Sequence, residues 1–181
     1  MKLWLVRHAR PLIEPGVCYG ATDMAVDARA TQACAQALAQ VLPQGVRVMT
    51  SPLQRCAQLA QALQTLRPDL QATPDARLAE MDFGCWEGVP WDAIPKDDFA
   101  HWMDNFNTCR FGGRESVGEF MQRVALVRTD TEREAQEAVW ITHAGVARAM
   151  TLLAQGLTVV ERADQWPKAT PDWGQWWERK V

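Results

Sequence analysis

Apolar residues in this chain fall in short unbroken runs, with helical periodicity between them. Lys2-Leu3-Trp4-Leu5-Val6, Val46-Arg47-Val48-Met49 and Ala138-Val139-Trp140-Ile141 read as strands, the first over about residues 2–7. Runs without polar alternation suit strands covered on both faces, as in a parallel sheet. After the first run, Ala30, Cys34, Ala37, Leu38 and Val41 share one helical face. After the second, Leu53, Cys56, Ala60 and Leu63 do the same, and Val117, Phe120, Met121, Val124 and Val127 precede the third. A helix over 145–155, a short strand near 71–73 and a tail strand near 174–179 complete the pattern. This β-α alternation predicts an α/β fold, a three-layer α/β/α sandwich with a mostly parallel central sheet, in one domain over residues 1–181.

Local punctuation sharpens the boundaries. Ser51 is placed as an N-cap, Pro52 at the first helical position and Gln54 as the third member of a capping box. Ser116 and Glu119 form a second such box. Pro90, Pro95, Gly112 and Gly113 surround one helix-like piece near 97–106, so residues 90–113 read as a small lid insert over the sheet edge.

Composition narrows the classes. The net charge is −3 and no Lys/Arg block stands out, which predicts neither nucleic acid nor a membrane surface as partner. An anionic ligand must then be attracted by local arginines. Only four apolar residues separate Lys2 from Arg7, too few for a signal peptide, and no run approaches a membrane span. The five cysteines are scattered without a CxxC, so they read as reduced thiols of a cytoplasmic protein. Nine tryptophans are many; Trp166, Trp173, Trp176 and Trp177 near the C-terminus read either as packing or as an aromatic wall beside a ligand.

The candidate chemistry sits at the ends of the runs. The first run delivers Arg7-His8 and the last delivers Thr142-His143-Ala144-Gly145, where open α/β sheets bind ligands. Arg55 falls in the first turn of a helix, at its positive end. Two guanidinium groups and two imidazoles on one rim describe a phosphate pocket, and Glu80 supplies a carboxyl group for proton transfer. An imidazole at its ordinary pKa of ~6.5 is largely neutral at pH 7, which leaves a ring nitrogen available for attack. Other chemistries fit less well. No cysteine has an arginine six residues on, no P-loop string exists, and the arginines flanking His8 and His143 would repel zinc.

Leu5-Val6-Arg7-His8, Ser51-Pro52-Leu53-Gln54-Arg55, Glu80-Met81-Asp82-Phe83-Gly84-Cys85-Trp86-Glu87-Gly88 and Thr142-His143-Ala144-Gly145-Val146 together resemble the histidine phosphatase superfamily. The similarity is to its phosphoglycerate mutase-like group, and within that to the small α-ribazole phosphatase-like enzymes. The resemblance implies a phosphoglycerate mutase-like fold and a metal-independent phosphomonoesterase without a cofactor. It implies His8 as nucleophile, Glu80 as proton donor and acceptor, and Arg7, Arg55 and His143, with Ala144 beside it, as the phosphate cradle. The expected partner is a small phosphorylated metabolite, and the expected state is a monomer or homodimer.

Two positions depart from the family pattern, Ala9 and Arg10, where glycine and an acidic residue are usual. Arg10 reads either as a third guanidinium for a second anionic group on the substrate or as a residue that points to solvent. The short span from Glu80 to the helix near 116 favours a hydrolase over a mutase. A mutase-like transferase, a phosphohistidine-protein phosphatase and a non-catalytic phosphate-binding regulator stay open as alternatives. Asp82 and Glu87 read as residues that fix a loop, His101 as a surface residue, and Ser116 as a helix cap rather than a substrate contact.

Overall fold

The computed structural model describes residues 1–181. Five strands form one sheet: β1 (Lys2–Arg7), β2 (Arg47–Thr50), β3 (Ala72–Pro74), β4 (Ala138–Thr142) and β5 (Trp176–Lys180), in the order β3-β2-β4-β1-β5. The first four are parallel, and β5 closes the edge antiparallel to β1. Alternate side chains of the central strands enter two separate cores. Leu3, Leu5, Met49 and Trp140 pack beneath α4 (Val117–Glu134) and α5 (Ala144–Ala154). Trp4, Val6, Val48, Val139 and Ile141 pack against α1 (Ala28–Val41) and α2 (Gln54–Leu66). The result is the expected α/β/α sandwich.

The chain leaves β1 toward α1 on one face and leaves the adjacent β4 toward α5 on the other. Two neighbouring strands whose connections part in this way open a crevice at their carboxyl ends. Arg7-His8 and Thr142-His143 stand at that crevice.

Two local expectations are corrected. Ser51 does not cap α2. The N-cap is Leu53, which has no side-chain cap bond, and the Gln54 N–H is instead satisfied by Asp23 Oδ1 at 2.7 Å. On α1 the buried stripe is Thr31, Cys34, Ala35 and Leu38, while Ala30, Ala37 and Val41 face solvent. Alanine is cheap to expose, so its spacing carried little information about the face. The insert holds α3 (Lys96–Asp104), and its Ile94, Trp102, Phe106 and Phe111 are buried in the same core as Leu3, Leu5 and Trp140. The second capping box is present in full, with Ser116 Oγ accepting from Glu119 N and Glu119 accepting from Ser116 N.

Candidate active site

His8 lies just past the end of β1, 2 % exposed. Its backbone is clamped on both sides: its N–H donates to Thr142 O, and its carbonyl accepts from Gly174 N. The ring is fixed as well. Nδ1 lies 2.7 Å from Ala9 O, and Nε2 lies 3.3 Å from Arg55 Nε. A carbonyl only accepts and a guanidinium only donates, so both contacts specify the same tautomer, with the proton on Nδ1 and the lone pair on Nε2. Burial, then the charge of Arg55, push the His8 pKa down to about 3. The imidazole is therefore neutral over the whole physiological range, further into neutrality than an ordinary histidine.

Arg55 is fully buried, and its orientation is fixed by backbone carbonyls. Nη1 donates to Thr22 O at 2.7 Å and Nη2 to Gly20 O. Gly20 is required there, because a Cβ would stand 1.8 Å from Met81 O. Arg7 is held by the C-terminal segment. Its Nη1 donates to Thr170 Oγ1 and Pro171 O, and its guanidinium lies 3.3 Å from the centroid of the Trp173 ring. Its Nε is buried without a partner.

His143 opens α5, and its ring centroid is 5.0 Å from that of His8. Its Nε2 lies 2.8 Å from Ser51 Oγ, and its Nδ1 is buried with no protein partner. Ser51 thus orients the second imidazole, and its Oγ also accepts from Leu53 N at 3.3 Å. Burial, followed by the charges around it, holds the His143 pKa well below the usual imidazole value.

Glu80 reaches the start of α5 from a loop. Its Oε2 accepts from Gly145 N at 3.0 Å and its Oε1 from Met81 N at 3.2 Å. A Cβ on residue 145 would come 2.1 Å from Glu80 Oε1, so this approach needs glycine. The loop is braced from behind by Arg123. Arg123 donates to the carbonyls of Arg77, Ala79 and Glu80 and pairs with Glu115 through Nε at 2.6 Å. Glu87 accepts from the N–H groups of Ala21, Thr22 and Phe83, and Asp82 from Gly84 N. Both carboxylates are committed to the loop, as expected of them.

Arg7, His8, Glu80 and Ala144 line one cavity of about 490 Å³. Arg55 and His143 stand behind His8 and away from the cavity wall. Arg10 is a different matter. It is exposed and does not line the cavity, because Asp27 N binds its carbonyl and draws the chain away over the surface. Besides Arg7, the cations that line it are Arg148 and Lys168, and Tyr19 lines it too. None of the three is apparent from the motifs. The signal for Arg148 was its isolation, since it is the sole charged residue in α5 and lies one turn beyond Ala144. Of the clustered tryptophans, Trp166 and Trp173 line the cavity, while Trp176 and Trp177 belong to β5.

The sheet thus brings an imidazole with its lone pair on Nε2, two guanidinium groups and a carboxyl group together at its switch point. Residues 3–169 match the histidine phosphatase superfamily (branch 1), and the chain belongs to that family. Its fold is similar to that of the α-ribazole phosphatase from Shigella flexneri, with a TM-score of 0.82, 21% identity, and coverage of 100% of this chain and 91% of that one. It is also similar to a mycobacterial glucosyl-3-phosphoglycerate phosphatase, with a TM-score of 0.79, 19% identity and coverage of 98% and 88%. A protein from Thermus thermophilus is 27% identical, with a TM-score of 0.73 and coverage of 98% and 92%. A search of curated proteins by sequence finds no match. No helix is long and apolar enough to cross a membrane.

Proposed function

We propose that the chain is a metal-independent phosphomonoesterase that hydrolyses a small phosphorylated metabolite through a phosphohistidine on His8. One observation carries the reading: the His8 ring is neutral, with its lone pair on Nε2 and its Nδ1 proton fixed on Ala9 O. Such a nitrogen needs no prior deprotonation and attacks once it gives up its 3.3 Å contact with Arg55 Nε. Nε2 attacks phosphorus, and the ester P–O bond breaks as Glu80 gives its proton to the leaving oxygen. The positive charge that develops on the ring is stabilised through Nδ1–H by the Ala9 carbonyl. Water then attacks the phosphohistidine and passes a proton to Glu80, and the P–N bond breaks to release phosphate and restore both groups.

Arg7, on the cavity wall, neutralises the phosphoryl oxygens, while Arg55, buried behind His8, holds its ring and adds a positive charge to the site. Phosphoryl transfer rests mainly on this kind of positioning and charge neutralisation. The esters named for the structural relatives, α-ribazole phosphate and glucosyl-3-phosphoglycerate, are the first natural candidates to assay. The test is turnover of p-nitrophenyl phosphate in EDTA. Undiminished activity that vanishes in His8→Ala supports the reading, and full activity in His8→Ala overturns it.

A further inference from the structure

The cavity in front of His8 is much larger than a phosphoryl group needs, and its composition is uneven. At about 490 Å³ it falls in the range of pockets that enclose a whole small molecule. Its walls beyond Glu80 are aromatic, with Phe83, Trp91, Trp102, Phe106 and Trp166 all contributing. Trp91 and Trp102 stack within 12° of parallel, and Trp102 lies 5.4 Å from Phe106, so the wall is a rigid packed surface.

Two further cations line the cavity beside Arg7, the half-buried Arg148 and, at its exposed rim, Lys168. Arg148 comes from α5 and Lys168 from the segment after Trp166 and Pro167. Neither belongs to any of the ion pairs of the chain. Arg148 Nε is buried without a partner, while other partly buried arginines such as Arg77 and Arg123 are paired with carboxylates. An unpaired guanidinium against an aromatic wall is an expensive arrangement unless a ligand supplies the anion.

We infer that Arg148 and Lys168 form a second anion subsite, so that the substrate is a phosphate monoester with a flat or apolar body and a second anionic group, such as a carboxylate. The inference rests on the phosphatase reading and specifies its substrate class. The ester phosphate faces His8, the body lies along the tryptophans, and the second anion meets Arg148, one turn along α5 from Ala144, and Lys168. The role that the sequence suggested for Arg10 falls to these two residues.

The test compares 2-naphthyl phosphate with 6-carboxy-2-naphthyl phosphate as substrates of the wild type and of the Arg148→Met/Lys168→Met double variant. The wild type is expected to favour the carboxylated ester by about tenfold or more in kcat/KM, and the double variant is expected to lose that preference. An equal fall for both esters, with the ratio unchanged, would place Arg148 on the transferred phosphoryl group and overturn the inference. A second readout does not depend on turnover. With inorganic phosphate saturating, 2-naphthoate should quench tryptophan fluorescence, and its affinity should drop about tenfold in the double variant. Equal affinity in both proteins overturns the subsite. Absence of turnover with either ester, together with naphthoate binding that depends on the two cations, refutes the phosphatase reading and leaves the subsite standing.

Discussion

His8 Nδ1 donates to the carbonyl oxygen of Ala9, the residue that follows it, across 2.7 Å. That bond fixes which nitrogen meets the substrate, and it is made to the backbone, so it tolerates alanine where the family usually has glycine. Ala9 itself is 1% exposed and is not among the residues with positive φ, so its methyl group introduces no backbone strain.

The same buried imidazoles set an acid limit on stability. The His8 pKa falls from 6.5 to about 3 on folding, and that of His143 is also strongly lowered. The unfolded chain therefore binds protons below about pH 6.5 that the folded chain refuses. Stability from these groups is complete above that pH and is lost as the pH falls toward 3. Each histidine contributes a slope of about 1.4 kcal/mol per pH unit once its unfolded form is protonated. Urea unfolding between pH 7.5 and 5 should show this decline, and His8→Asn should remove about one proton from the slope. A slope unchanged in His8→Asn would contradict the buried neutral state.

Gly145→Ala should separate catalysis from stability. Alanine favours the helix by up to about 1 kcal/mol, but its Cβ needs the space of Glu80 Oε1, 2.1 Å away. A displaced proton donor of this kind lowers rate by about 10²-fold. The melting temperature should move little while kcat falls steeply. Unchanged kcat would show that the contact between Glu80 and α5 is dispensable.

Arg123→Met should affect both properties. It strands Glu115 and three carbonyls, among them that of Glu80. Removing one partner of a largely buried ion pair costs about 2–4 kcal/mol. Chemical denaturation should record that loss, and kcat should fall with it as the Glu80 loop loosens. Arg123→Lys should rescue little, since one ammonium cannot reproduce the guanidinium fork. Full rescue by lysine would reduce the role of Arg123 to charge alone.

What the sequence disclosed and what it withheld divide along the range of the forces involved. Unbroken apolar runs located the buried strands, because burial on both faces leaves no other pattern. The Ser116–Glu119 box was readable, because both partners lie within one turn. Ser51 misled for the opposite reason. Its hydroxyl is claimed by His143, far along the chain, and a local rule has no view of that competitor. The position of His8 could be read from its strand, whereas its depressed pKa depends on burial and on Arg55, brought in from another element. The outer wall of the cavity was least legible. Tyr19, Arg148 and Lys168 meet there only through the fold, and Arg10, next to the motif in sequence, points elsewhere.

The most direct test of the central claim is to trap the intermediate. The wild type is mixed with p-nitrophenyl phosphate, quenched in base within milliseconds, digested and read by mass spectrometry. The account predicts one phosphoryl group on the peptide that carries His8, stable to base and lost in acid, and absent from His8→Ala. A phosphoryl group on any other residue, or steady turnover with none on His8 at any time, would contradict it.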